Sequence, residues 1–137
     1  TMDTTRADMT LAMLEGVAFA LRDSIEVARS LGLAIPRSTL CGGGSKSPLW
    51  RTILANVLGI PLDLPATEQG PGYGAALLAM VACGRYADVA EVSRAMLKIR
   101  ETVEPDPALT ALYEARYAEF RQIYPACKDL FARLGRA

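Results

Sequence analysis

Histidine is absent from the 137 residues, and cysteine is nearly so, with Cys41, Cys83 and Cys127 far apart and no Cys-x-x-Cys pair. These shortages leave histidine acid–base chemistry, Ser-His-Asp triads, structural zinc sites and a disulfide framework without support. They point to a reduced, cytoplasmic setting. An excess of either charge is also lacking: fifteen basic residues balance fifteen acidic ones, and no window is a run of Lys and Arg. A nucleic-acid partner is therefore not expected. The longest strongly apolar stretch, Gly74 to Cys83, is half the roughly 20 residues that span a bilayer, and no signal-peptide pattern opens the chain. No membrane partner is expected either.

What is present is aliphatic and small. Alanine is abundant and aromatics are 7%, a composition that suits helices packed closely over a sheet better than an all-β sandwich. From Asp8 to Leu31, the residues Leu11, Leu14, Val17, Ala18, Leu21, Ile25, Ala28 and Leu31 recur at helical spacing. Thr5 and Asp8 can form a capping box, and Gly32 can stop the helix. Ser38 to Cys41 reads as a short strand. Three glycines follow, and then a helix with Ser47 as N-cap and Pro48 as its first residue, closed by Gly59.

Ile60 to Leu64 reads as a second strand. Gly70-Pro71-Gly72 reads as a breaker before a buried helix from Tyr73 to Cys83, apolar nearly all round. A short helix over Asp88 to Met96, an extended segment from Lys98 to Val103, and a long helix from Pro107 complete the chain. Pro125 should interrupt that last helix, with Ala126 to Leu134 continuing beyond a kink. The strand–helix–strand order asks for parallel pairing by a crossover. Two short parallel strands make a poor sheet, so further strands are expected from residues outside the chain or from a second copy, as in a homodimer. The opening Thr1-Met2, running almost at once into a helix, also suits a piece of a longer protein.

The glycine turn Gly42-Gly43-Gly44 permits positive φ and presents no side chains, and the helix after it offers amides to an anion. It reads equally well as a phosphate or ribose cradle and as a tight strand-to-helix connection. It is not a Walker A loop, which needs Gly where Ser45 and Leu40 stand. Gly70 to Gly74 lacks the dinucleotide spacing and reads as a closely packed helix-starting turn. Glu15 and Asp23 read as solvated or capping charges, and Tyr113, Tyr117 and Phe120 as core. No catalytic constellation is visible.

The stretch Asp8-Met9-Thr10-Leu11-Ala12-Met13-Leu14-Glu15-Gly16-Val17-Ala18-Phe19 resembles the end of the signature of the FGGY carbohydrate kinases. Leu40-Cys41-Gly42-Gly43-Gly44, with Ser45 to Gly59 after it, resembles that family's adenosine-binding segment. Gly70 to Ala79, and the tail with Pro105-Asp106-Pro107, Tyr113, Tyr117 and Tyr124-Pro125, are closer to xylulokinases than to glycerol kinases. The resemblance implies an α/β fold: part of a ribonuclease H-like, actin-like ATPase domain, helix-rich with a few parallel strands. Residues 1–137 would be a partial C-terminal domain, with the sugar-binding domain and the start of this domain elsewhere.

It further implies ATP and Mg2+ as cofactors and a ketose sugar, D-xylulose foremost, as substrate. Gly42, Gly43, Gly44 and Ser47 would face the nucleotide, Gly43 most closely, and Ser47 stands where some relatives have Asn. The catalytic Asp would lie upstream, so the chain alone is expected to be inactive. The competing reading is a stand-alone interaction or dimerisation module without catalysis. The length of the native reading frame separates the two.

Overall fold

A computed structural model describes residues 1–67 and 70–135. Five helices and three strands occur among them, in the order α1 (Arg6–Ser30), β1 (Ser38–Thr39), α2 (Pro48–Leu58), β2 (Leu62–Pro65), α3 (Gly70–Ala82), α4 (Val89–Met96), β3 (Ile99–Val103) and α5 (Pro107–Leu134). The chain divides into two compact units. A helical unit comprises Thr1–Ile35, Ile53–Gly59 and the chain from Pro105; a sheet unit comprises Pro36–Thr52 and Ile60–Glu104.

In the helical unit, local chemistry sets the helix ends. The Thr5 hydroxyl accepts from the Asp8 amide, and the Asp8 carboxylate accepts from the Thr5 amide at 2.8 Å, closing the capping box at the start of α1. The Thr5 amide and hydroxyl, both donating to the Asp8 carboxylate, hold that carboxyl below its usual pKa. Asp106 caps α5 through the amides of Ala108 and Leu109, with Pro107 as the first helical residue. The Asp106 amide in turn donates to the buried Asn56 side chain at 2.7 Å.

α1 and α5 meet through aromatic rings. Phe19 lies 6.1 Å from the Tyr113 ring, 5.9 Å from Tyr117 and 5.2 Å from Phe120, centroid to centroid. The covered face of α1 is Ala18, Phe19 and Arg22. The aliphatic stripe expected to be covered is instead largely open, with Leu11, Val17, Leu21 and Leu31 exposed.

Glu15 and Asp23 have tertiary partners, although Asp23 stays exposed as expected. Arg116 donates to Glu15 at 2.6 Å, and the Tyr117 hydroxyl donates to Asp23. Arg22 reaches Glu26 and Glu114 and lies 4.2 Å above the Tyr117 ring. α5 also runs unbroken through Pro125. A proline removes a single donor from the helix, and 28 residues of surrounding helix absorb that loss.

The sheet unit is built on β2, the middle strand. β1 pairs with it in parallel, Ser38 opposite Leu62 and Thr39 opposite Asp63. On the other side β3 runs antiparallel, Leu62 opposite Val103 and Asp63 opposite Thr102, with an irregularity between Leu64 and Pro65. The extended segment from Lys98 to Val103 thus contains a third strand, and the sheet is mixed where a few parallel strands were expected. An antiparallel partner needs only a return of the chain, which α3 and α4 supply. One strand that the sequence seemed to lack therefore comes from the chain itself.

Leu62 and Leu64 are buried, and so is Asp63, which accepts from the Thr102 hydroxyl at 2.7 Å and pairs with Arg37 at 3.2 Å. α3 corrects another expectation. It starts at Gly70, so the supposed breaker is its first turn, and Leu77 alone of its residues is buried. Leu78 is 57% exposed. An apolar sequence can show that a helix ought to be covered; it does not supply the cover.

Candidate functional site

β1 delivers the chain into the glycine turn. The Leu40 amide donates to the Asp63 carbonyl at 2.9 Å, one step past the last paired residues, and the backbone then turns at Gly42 with φ of +83°. Gly43–Lys46 forms one 3-10 turn and Pro48 opens α2. Ser45 is buried, and both its amide (3.1 Å) and its hydroxyl (2.7 Å) donate to the Gly42 carbonyl. The Ser47 amide donates to the Gly44 carbonyl at 3.1 Å, while its side-chain oxygen accepts from the Trp50 amide at 3.3 Å. Ser47 is the expected cap of α2, and as a hydroxyl it keeps its own proton to donate elsewhere.

The three glycines are glycine for different reasons. Gly42 needs the left-handed backbone. Gly44 is tightly faced: a Cβ there would stand 3.0 Å from Trp50 Nε1 and 3.1 Å from Cδ1, so the indole would have to shift. Gly43 has neither constraint, since its φ is ordinary and a Cβ would meet nothing within 4 Å. Its amide and that of Gly44 begin the 3-10 turn and have no acceptor within it. The protein's own packing thus accounts for Gly42 and Gly44 and leaves the bareness of Gly43 open to a ligand.

Beside the turn, in the same unit, Thr39, Cys41, Pro65, Tyr73, Leu77 and Leu78 line part of an open, mainly apolar pocket of about 480 Å³. The Tyr73 hydroxyl donates to the Met96 carbonyl at 3.0 Å, tying α3 to α4 on its far side. The close packing expected at Gly70 to Gly74 is not found: a Cβ on Gly70, Gly72 or Gly74 would meet nothing within 4 Å. The helical unit carries a groove of about 770 Å³ between α1 and α5, but its Asp23 and Glu26 carboxylates are already bonded within that unit.

Among the described residues no group of three His, Cys, Asp or Glu side chains could hold a metal ion, and no helix is long and apolar enough to cross a membrane. Among the described residues there is thus no cluster of three such ligands for Mg2+. The contact of Trp50 with Gly44 left no mark in the sequence, where Trp50 reads only as part of a helix start.

The fold is that of solved sugar kinases, which gives the class: this is part of a ribonuclease H-like, actin-like ATPase domain. The description "FGGY family of carbohydrate kinases, C-terminal domain" matches residues 1–83, and the chain belongs to that family. A xylulose kinase of Staphylococcus epidermidis is 34% identical over 130 residues, covering 95% of this chain and 26% of that protein. A ribulokinase of Mycolicibacterium smegmatis is 34% identical over 134 residues, covering 97% of the chain and 23% of that protein. The crystal structure of xylulose kinase from Rhodospirillum rubrum superposes with a TM-score of 0.84 at 32% identity, over 96% of this chain and 27% of that one. The chain therefore spans about a quarter of the length of the relatives it matches.

Proposed function

We propose that the protein to which this chain belongs phosphorylates a ketose with ATP, converting D-xylulose to D-xylulose 5-phosphate. Residues 1–137 are, on this reading, a partial C-terminal domain that provides one wall of the nucleotide site. The similarity to xylulose kinases over 95% of the chain supports the sugar, while the match to a ribulokinase keeps other pentuloses as the comparison substrates. The observation that carries the nucleotide reading is Gly43, which is free of side chain without any internal reason to be.

ATP brings the transferable phosphoryl group and, with Mg2+ held by groups outside these residues, the charge neutralisation the transfer needs. Gly42 fixes the direction of the turn. Gly43 lets the backbone approach the ribose–phosphate end of the nucleotide, and the amides of Gly43 and Gly44 are donors suited to its oxygens. The Ser47 hydroxyl, already accepting from Trp50, donates its proton toward the ligand. On this reading the base for the sugar hydroxyl lies upstream of these residues, so the chain by itself would be inactive.

Titrating the full-length protein with ATP and, separately, with D-xylulose tests the reading. Gly43→Val should abolish measurable ATP binding and leave sugar binding within about twofold. Unchanged ATP affinity would remove the turn from the site.

A further inference from the structure

We infer that Trp50 is a positioning residue for the glycine turn, resting on the nucleotide reading above. Three contacts close a ring around the turn's second half. The Ser47 amide donates to the Gly44 carbonyl, the Trp50 amide donates to the Ser47 side-chain oxygen, and the Trp50 indole lies against the bare Cα of Gly44. The first half is pinned separately, by the amide and hydroxyl of the buried Ser45 on the Gly42 carbonyl. Gly43 sits between the two anchors and touches neither through a side chain. Its placement is therefore set at one end by Ser45 and at the other by the indole.

The first turn of α2 is also tied to the sheet. Trp50 sits there beside Arg51, whose guanidinium donates to Glu101 on β3 at 2.8 Å. Turn, helix start and sheet edge are thus connected within one unit. The rigid indole, whose Nε1 and Cδ1 would stand 3.0 and 3.1 Å from a Cβ on Gly44, limits movement of that backbone toward it. Misplacement by a fraction of an ångström is enough to weaken a site whose donors are backbone amides.

The test is a pair of substitutions and their combination in the full-length protein. Trp50→Ala and Gly44→Ala should each raise the KM for ATP roughly tenfold, with kcat and the KM for D-xylulose nearly unchanged. Trp50→Phe, which keeps a ring over Gly44, should restore most of the loss. Combining Gly44→Ala with Trp50→Ala should be no worse than Trp50→Ala alone, because the new methyl then meets no indole. If Trp50→Ala unfolds the protein, Gly44→Ala and Trp50→Phe still carry the test through the ATP KM.

An unchanged ATP KM in Gly44→Ala or in folded Trp50→Ala, a Trp50→Phe no better than Trp50→Ala, or strictly additive losses in the combination, overturns the role of Trp50. Gly43→Val, measured alongside, identifies which reading failed. If it raises the ATP KM while Trp50→Ala and Gly44→Ala do not, the positioning role alone falls. If none of them does, the nucleotide reading falls with it.

Discussion

The two units of the chain achieve their order by opposite means. In the helical unit, long helices are fastened by side chains far apart in sequence: Phe19 among three rings, Arg22 over Tyr117, Glu15 with Arg116 and Asp23 with Tyr117. In the sheet unit, strands of two to five residues are held by backbone pairing and one buried carboxylate, and the apolar helix α3 lies mostly open. The candidate site is on the sheet unit. The lesson is that the scaffold's side chains are occupied with one another, whereas the site consists of backbone and of surfaces left uncommitted.

The largest expected effect breaks the helical side of this contrast. Phe19→Ala removes the ring at the centre of the aromatic cluster and should cost about 3–5 kcal/mol in urea unfolding. A loss under about 1 kcal/mol would mean that α1 and α5 are held chiefly by their charged pairs.

A smaller effect separates neighbours within the turn. Gly42→Ala places a Cβ on a backbone with φ of +83° and should cost about 1–2 kcal/mol. Gly43→Ala should change stability by less than about 0.5 kcal/mol, since it enters open space. Equal losses in thermal unfolding would contradict the different reasons assigned to the two glycines.

The least effect at ordinary pH concerns the helical unit alone. Burial, then the hydrogen bond to Asp23 and its negative charge, push the Tyr117 phenol up to about 12 from 10.0. Because the folded value is the higher one, the neutral phenol's contribution to stability is fully present below pH 10. It is lost as pH rises from about 10 to about 12. A tyrosinate titration should show Tyr113 and Tyr117 both ionising late, and Tyr117→Phe should remove the one near pH 12. That variant should also flatten the alkaline fall in stability.

Several elements were legible because their causes are local. Thr5 and Asp8, Ser47 and Pro48, and Asp106 and Pro107 mark helix starts through contacts within four residues, and the structure has caps at all three. The glycine turn was legible for the same reason, as was the family, whose motifs are themselves short stretches of chain. β3 was read only as an extended segment, because its strand character depends on β2, some forty residues earlier. The site's division of labour was less legible still. Three identical residues in a row cannot say which is bare for the backbone, which for an indole and which for a ligand.

By itself, then, the sequence determined where helices begin, where the chain must turn, and which family those turns belong to, since each is a matter of neighbouring residues satisfying one another's amides. Only the tertiary structure decided which face of α1 is covered, that Glu15 and Asp23 have partners on α5, that the sheet is mixed, and that Trp50 occupies the space above Gly44. These are choices among surfaces of nearly equal apolarity or charge. Shape complementarity with a distant segment settles them, and a one-dimensional pattern does not contain that shape.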